Sequence, residues 1–129
     1  MGVRHINPEG LPSNPAYSQA VVVEQPAKTI YIGGQNGVGP DGALAGTTLG
    51  EQAAQALRNL RTILESEGAT LANIVHWRIA MAEGQAFEEG YAAFQEIWDT
   101  SNPPPAITGQ IVSGLARGYL VEIDAVAVL

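Results

Sequence analysis

Hydrophobic and polar residues alternate between positions 73 and 81, and this period of two predicts a β-strand with one buried face. Trp77 and Ile79 fall on one side of this strand, whereas His76 and Arg78 fall on the other. Four further segments are rich in β-branched and aromatic residues, and we predict that they are strands as well: residues 16–24, 28–34, 107–113 and 119–128.

Apolar residues recur every three or four positions in two other segments, which predicts two amphipathic helices. The first covers residues 48–67, where Thr48 and Glu51 have the spacing of a capping box and Gly68 suits the C-terminal cap. The second covers residues 85–99 and ends before a run of prolines, which cannot continue a helix. Its aromatic side chains share one stripe that we interpret as core packing: Phe87, Tyr91, Phe94 and Trp98.

The order β-β-α-β-α-β-β predicts one α+β domain over residues 1–129, with two helices covering one face of a mixed sheet. Residues 1–15 contain three prolines and are predicted to form an extended N-terminal arm. The opposite face of the sheet still carries apolar side chains, and no further helix is available to cover it. Self-association is the simplest source of cover.

The composition supports self-association and argues against several classes of partner. Hydrophobic residues make up 46% of the 129 residues and charged residues only 15%, which is low for a small monomer. The net charge is −7, and the six Lys and Arg residues form no basic cluster, so we expect no nucleic-acid partner. No apolar run is long enough to span a membrane and no secretory signal is visible, so we expect a cytoplasmic protein.

Motifs for metals, nucleotides and covalent catalysis are missing from the sequence. There is no Cys, and the two histidines, His5 and His76, have no second ligand nearby. The glycine run that begins at Gly33 and Gly34 lacks the Lys of a phosphate-binding loop, so we interpret it as turn geometry and expect no cofactor. A close approach of a ligand to the backbone at Gly33 and Gly34 stays open as an alternative.

Two carboxylates lie two residues apart near the C-terminus, which places both on one side of a strand. Glu122 and Asp124 allow two interpretations: a solvated strand face, or a pair of groups that performs acid–base chemistry. The apolar residues around Glu122 favour partial burial of its carboxylate.

The order and spacing of several short motifs resemble the Rid (reactive intermediate deaminase, YjgF-like) family along nearly the whole chain. The matching segments are Tyr17-Ser18-Gln19-Ala20, Tyr31-Ile32-Gly33-Gly34-Gln35, Pro105-Ala106 and Leu120-Val121-Glu122-Ile123. The resemblance implies a chorismate-mutase-like α+β fold and a homotrimer with small-molecule clefts between subunits. It also implies cofactor-free hydrolysis of enamines and imines to a 2-keto acid and ammonia.

The resemblance also implies the residues of the cleft. Glu122 matches the glutamate that helps to place water, Tyr17 lines the cleft, and Gly33 and Gly34 stand where the family has a Ser-Gly pair that contacts the substrate. The chain departs from the pattern at three of these positions: Ile107 replaces the arginine that anchors the substrate carboxylate, Gly33 replaces the serine, and Gly109 replaces a cysteine of some members.

Three hypotheses follow from this pattern. The first is a homotrimeric imine or enamine hydrolase centred on Glu122, with a ligand that is more apolar than a 2-imino acid or is anchored by another group. Arg78 and Arg117 are the cations considered as replacements. The second is a non-catalytic metabolite-binding or interaction protein on the same fold. The third is RNA cleavage, an activity ascribed to some relatives, against which the acidic balance of the chain argues.

Overall fold

A computed structural model describes residues 2–129. The described residues form six strands and two α-helices in the order β-β-β-α-β-α-β-β, which is that of an α+β domain. The strands are β1 (Gly2–Ile6), β2 (Ala20–Glu24), β3 (Thr29–Gln35), β4 (Ile74–Ala82), β5 (Ala106–Val112) and β6 (Val121–Val128). The helices are α1 (Leu49–Ser66) and α2 (Phe87–Ile97).

The main sheet contains four strands in the order β3-β6-β4-β5, and it is mixed. The β4–β5 pair is parallel, whereas β6 is antiparallel to both β3 and β4. The parallel pair requires a crossover connection, and α2 lies within it. Both helices pack on the same face of the sheet, so the predicted α+β fold class is confirmed.

The N-terminal segment contains a strand that the sequence analysis did not predict. Residues 1–15 were expected to be an extended arm, but β1 pairs antiparallel with β2, from Gly2 opposite Glu24 to Ile6 opposite Ala20. These two strands form a separate two-stranded sheet. Strand β2 begins at Ala20 rather than at residue 16, because Tyr17 lies in a turn where its amide donates to the carbonyl of Asn14.

Helix α1 packs its apolar stripe on the sheet. Leu57, Leu60 and Leu64 are buried in one core with Trp77 and Ile123. The predicted capping box is present, since the Glu51 amide donates to Thr48 Oγ1 (3.2 Å) and the Thr48 amide to Glu51 Oε1 (3.3 Å). Hydrogen bonds from the Thr48 side chain and backbone lower the pKa of Glu51. These local bonds explain why α1 begins where the sequence predicts.

Helix α2 holds its aromatic residues in a row of neighbouring rings. The centroids of Phe87 and Tyr91 lie 6.0 Å apart, and those of Phe94 and Trp98 lie 5.6 Å apart. Trp98 is buried, but Phe87 is 61% exposed. The interpretation of the whole stripe as core packing was therefore wrong for Phe87, since no element within residues 2–129 covers this end of the helix. Within residues 2–129, neither helix is both long and apolar enough to cross a bilayer.

Candidate functional site

An apolar cavity of about 580 Å³ lies between the helices and the four-stranded sheet, and we call it the apolar pocket. The strands contribute one wall: Trp77, Ile79, Ile107, Ile111, Val121 and Ile123. The helices contribute another, which includes Leu49, Leu57, Phe87, Tyr91 and Phe94. The alternation of side chains along β4 and β6 explains this wall, because every second residue of each strand faces the helices.

The apolar pocket has no charged lining residue. Its polar side-chain groups are the hydroxyls of Tyr17 and Tyr91, the amide of Gln110 and the indole N–H of Trp77. Trp77 is 1% exposed, and its Nε1 finds no hydrogen-bond acceptor among residues 2–129. Burial of an unpaired charge in such surroundings is costly, so the pocket suits uncharged groups.

Three of the site residues predicted from the sequence line this pocket together. Tyr17 reaches it from the turn before β2, and Ile107 and Gly109 reach it from β5. In the β4–β5 register, Ile107 pairs with Trp77 and Gly109 with Ile79. This pairing explains why Ile107 and Gly109 lie on the same side of the sheet as Trp77. A Cβ atom built on Gly109 would meet no heavy atom within 4 Å. The glycine therefore leaves open space where another residue would place a side chain.

Glu122 lies on the other face of the sheet. Its neighbours Val121 and Ile123 line the apolar pocket, so the alternation of β6 directs Glu122 away from it. Glu122 is half-buried, and its register partner on β4 is Ala80. We call this side of the sheet the carboxylate face and define it by Arg78, Glu122 and Asp124.

A β-bulge in β3 places Gly34 beside Glu122. The register with β6 moves from Ile32 opposite Ala125 to Gln35 opposite Ile123, so that Gly33 and Gly34 together stand opposite the single residue Asp124. A Cβ atom on Gly34 would lie 2.6 Å from Cδ of Glu122, whereas one on Gly33 would meet nothing within 4 Å. Residue 34 is therefore a glycine because the Glu122 carboxylate packs against it. Bulges commonly position side chains beside active sites in this way.

The structure places neither candidate arginine in the apolar pocket. Arg78 lies on the carboxylate face, where its Nη2 and Nε each lie 3.0 Å from Oδ2 of Asp124. Arg117 is exposed in the turn Ala116–Gly118 and adopts a left-handed conformation with φ 57°. Glu122 and Asp124 lie on one side of the sheet, as predicted, and Asp124 forms an ion pair with Arg78.

Within one protomer, the predicted site residues thus divide between two sides of the sheet. Tyr17, Ile107 and Gly109 line the apolar pocket, whereas Gly34 and Glu122 lie together on the carboxylate face. The sequence analysis missed the contribution of the aromatic side chains, since their helical spacing is equally typical of core packing. No group of three or more His, Asp or Glu residues within the range 2–129 could hold a metal ion.

Comparison with known proteins identifies the family. Residues 9–129 match the family described as Endoribonuclease L-PSP, so the chain belongs to this family. The resemblance to Rid proteins is confirmed by a crystal structure described as a protein of unknown function of the conserved Rid protein family, YyfB from Yersinia pestis. It superposes with a TM-score of 0.86 at 33% identity and covers 100% of both chains.

Curated relatives carry the name 2-iminobutanoate/2-iminopropanoate deaminase. The protein from Rattus norvegicus is 37% identical over 116 residues, which covers 88% of this chain and 80% of the relative. The protein from Mus musculus is 39% identical over 115 residues, which covers 87% of this chain and 80% of the relative.

Proposed function

We propose that the protein is a homotrimeric hydrolase of imines or enamines, with Glu122 as its acid–base residue and with weakened preference for 2-imino acids. The observation that carries the proposal is the half-buried Glu122 carboxylate, which packs against the Gly34 bulge and forms no ion pair among the residues described. A carboxylate that is not neutralised by a cation is free to accept and return a proton. The names of the deaminase relatives support this class of reaction.

The reaction needs only water and a proton carrier. Glu122 accepts a proton from water as the oxygen adds to the carbon of the C=N bond. The carboxyl group then returns the proton to nitrogen, which gives an adduct with a hydroxyl and an amino group. Glu122 next carries the hydroxyl proton to the same nitrogen, so that the C–N bond breaks, ammonia leaves and a carbonyl group remains. No electrons are exchanged with a cofactor, so every step lies within the reach of one carboxylate.

Ile107 is the reason for proposing a changed substrate preference. An isoleucine cannot form the two parallel hydrogen bonds by which an arginine holds a carboxylate. Loss of one partner of a buried charge pair costs about 2–5 kcal/mol. At about 1.4 kcal/mol per tenfold change, this is roughly 30-fold to 5,000-fold in kcat/KM for a 2-imino acid.

The division of the site residues supports a trimer with clefts between subunits. In a single protomer the sheet separates Glu122 from Ile107, whereas the carboxylate face of one subunit can approach the apolar pocket of the next. The same face displays Tyr31, which is 81% exposed on β3 and pairs with Val126. Sedimentation equilibrium at micromolar protein should report about three chain masses. A monomer would overturn both the trimer and the shared cleft.

The substitution Glu122→Gln tests the proposed catalytic role. Imines are generated in situ by an amino-acid oxidase acting on a series of amino acids, and the release of ammonia or keto acid is followed. Turnover of accepted imines should fall by about 100-fold or more in this variant, since the amide cannot carry the proton. Glu83→Gln, at an exposed carboxylate after β4, is the matched control and should leave turnover unchanged.

The alternative is a non-catalytic metabolite-binding protein on the same fold. Ile107 and the uncharged pocket favour it, because neither supplies a group that activates a 2-imino acid. In that case, no imine in the series would be hydrolysed faster by wild type than by Glu122→Gln, while ligand binding would persist in both proteins.

A further inference from the structure

We infer that the apolar pocket is a recognition site for a neutral, ring-containing hydrophobic group of the ligand. The inference rests on the proposed function in that it names the ligand class of the same site. The pocket, however, lies within one protomer, so its binding can be tested without turnover.

The size and shape of the pocket fit a small molecule. Its volume of about 580 Å³ exceeds what one or two side chains could fill and falls in the range of ligand sites, roughly 300–1,000 Å³. Its walls belong to strands and helices that are held by the buried core, including Trp77 and Leu49, both 1% exposed. A preformed apolar cavity of this kind offers dispersion contacts that water cannot replace.

The aromatic wall points to a ring rather than an aliphatic chain. Along α2, Phe87, Tyr91 and Phe94 follow one another with centroid separations of 6.0 Å and interplanar angles of 14° and 26°. Trp77 then meets Phe94 edge-on at 5.3 Å and 71°. A planar guest can stack on these faces or meet their edges, which are the favoured geometries of aromatic pairs. Phe87 is the exposed end of the row, where a guest would gain most contact.

The charge pattern excludes an anion from this pocket. Ile107 occupies the position where a cation would be needed, and the Arg78 guanidinium is bonded to Asp124 on the other side of the sheet. A carboxylate or sulfonate inside the pocket would lose its hydration without gaining a partner. A neutral ring avoids this loss and can accept a hydrogen bond from the Tyr91 hydroxyl.

Gly109 keeps the pocket open. A glycine in a strand interior weakens the strand and often marks a close approach of a ligand. Here the space above Gly109 is empty out to 4 Å, and this residue lines the pocket. A Cβ atom at this position would therefore enter open space beside the pocket lining. The position therefore offers a direct way to block the site.

The test uses two fluorescent probes with the same two-part aromatic skeleton. N-phenyl-1-naphthylamine is neutral, and 1-anilinonaphthalene-8-sulfonate carries a sulfonate. With the purified full chain, the neutral probe should bind saturably at one site per protomer, and the anionic probe should bind about tenfold more weakly or worse. Equal affinity for both probes, or no saturable binding of the neutral probe, would overturn the inference.

Two variants locate the binding site. Gly109→Leu should lower the affinity for the neutral probe by about tenfold, because the leucine side chain fills space that the ring needs. Gly114→Leu is the matched control, since Gly114 is equally free of neighbours within 4 Å but does not line the pocket, and its affinity should equal that of wild type. Phe87→Ala removes an exposed ring and leaves the core intact, so it provides a second test if Gly109→Leu does not fold. Phe87→Ala should lower the affinity for the neutral probe by about threefold to tenfold.

Failure of this inference can be distinguished from failure of the proposed function. Glu122→Gln should bind the neutral probe at least as tightly as wild type, because the variant side chain has the same size and no charge, even where residue 122 of a neighbouring subunit lies beside the pocket. Probe binding that depends on Gly109, without hydrolysis of any imine, would support the pocket and exclude the hydrolase. Probe binding that is insensitive to both Gly109→Leu and Phe87→Ala would place the probe elsewhere and overturn the pocket.

Discussion

The two faces of the four-stranded sheet differ in chemistry although they are built from the same strands. On β6, Val121 and Ile123 are 2% and 3% exposed and face the helices, whereas Glu122 and Asp124 are half-buried on the opposite side. Burial of Ile123 contributes stability, while partial exposure keeps the Glu122 carboxylate hydrated. The difference shows that alternation along one strand is enough to place apolar side chains on one face of the sheet and carboxylates on the other.

The apolar pocket and the Glu122 carboxylate lie on opposite faces of the sheet within one protomer. The apolar pocket has no charged side chain in its lining, and Glu122 is not among its lining residues. In the proposed trimer, a ligand that contacts both Ile107 and a Glu122 carboxylate would bridge two protomers. This is why the trimer and the catalytic proposal are linked.

The largest expected effect comes from the helix-facing side. Ile123→Ala should lower the free energy of unfolding by about 2–5 kcal/mol, because it leaves a cavity beside Trp77 in the core. Asp124→Ala, one residue away, breaks a partly exposed ion pair and should cost less than about 1 kcal/mol. Urea denaturation measures both. Equal losses would show that the two faces do not differ in this way.

The next effect concerns position 107, where Ile107 replaces the arginine that the family uses to anchor the substrate carboxylate. Ile107→Arg should raise kcat/KM for 2-imino acids by about tenfold or more, since it restores a carboxylate partner at the edge of the apolar pocket. The open space at Gly33 admits a side chain, so Gly33→Ser should add to the gain in the double variant. The assay follows ammonia release from imines generated in situ. Wild-type activity equal to that of an arginine-bearing relative would show that the arginine is dispensable here.

A smaller effect is expected from the bulge on the carboxylate face. In Gly34→Ala, the new methyl group overlaps the Glu122 carboxyl group, which must move. We expect turnover to fall by about tenfold, with a change in stability within about 1 kcal/mol because only a flexible side-chain end is displaced. Gly114→Ala serves as the control. Unchanged turnover in Gly34→Ala would argue against Glu122 as the proton carrier.

The smallest expected effect is a change in the pH dependence of stability, and it arises at His5 in the β1–β2 pair. Desolvation lowers the pKa of His5 below the ordinary value of about 6.5 for a histidine, and its Nε2 is buried without a partner among residues 2–129. Because the folded-state pKa is depressed, protonation favours the unfolded state, and stability should decline as the pH falls below about 6.5. His5→Leu should remove this decline between pH 7 and pH 5.5 in thermal unfolding. A decline that persists in the variant would assign it to other groups.

Much of the local structure was predictable because its causes are local. Helix α1 was predicted over residues 48–67 and covers Leu49–Ser66, since a capping box and an apolar period act within a few residues of the chain. The strand predicted over residues 73–81 covers Ile74–Ala82 for the same reason. The order of the elements predicted the α+β class, and the family motifs added the family and its expected cleft residues.

The sequence by itself therefore determined the helices, the strands of the main sheet and the family, because periodicity, caps and motifs are written in consecutive residues. Only the tertiary structure decided which residues share a side: Ile107 with Trp77, and Glu122 with Gly34. It also decided that β1 pairs with β2 and that Phe87 stays exposed. These outcomes depend on strand register and on neighbours distant in the chain, and no local pattern encodes which distant backbone will supply a hydrogen bond or a covering side chain.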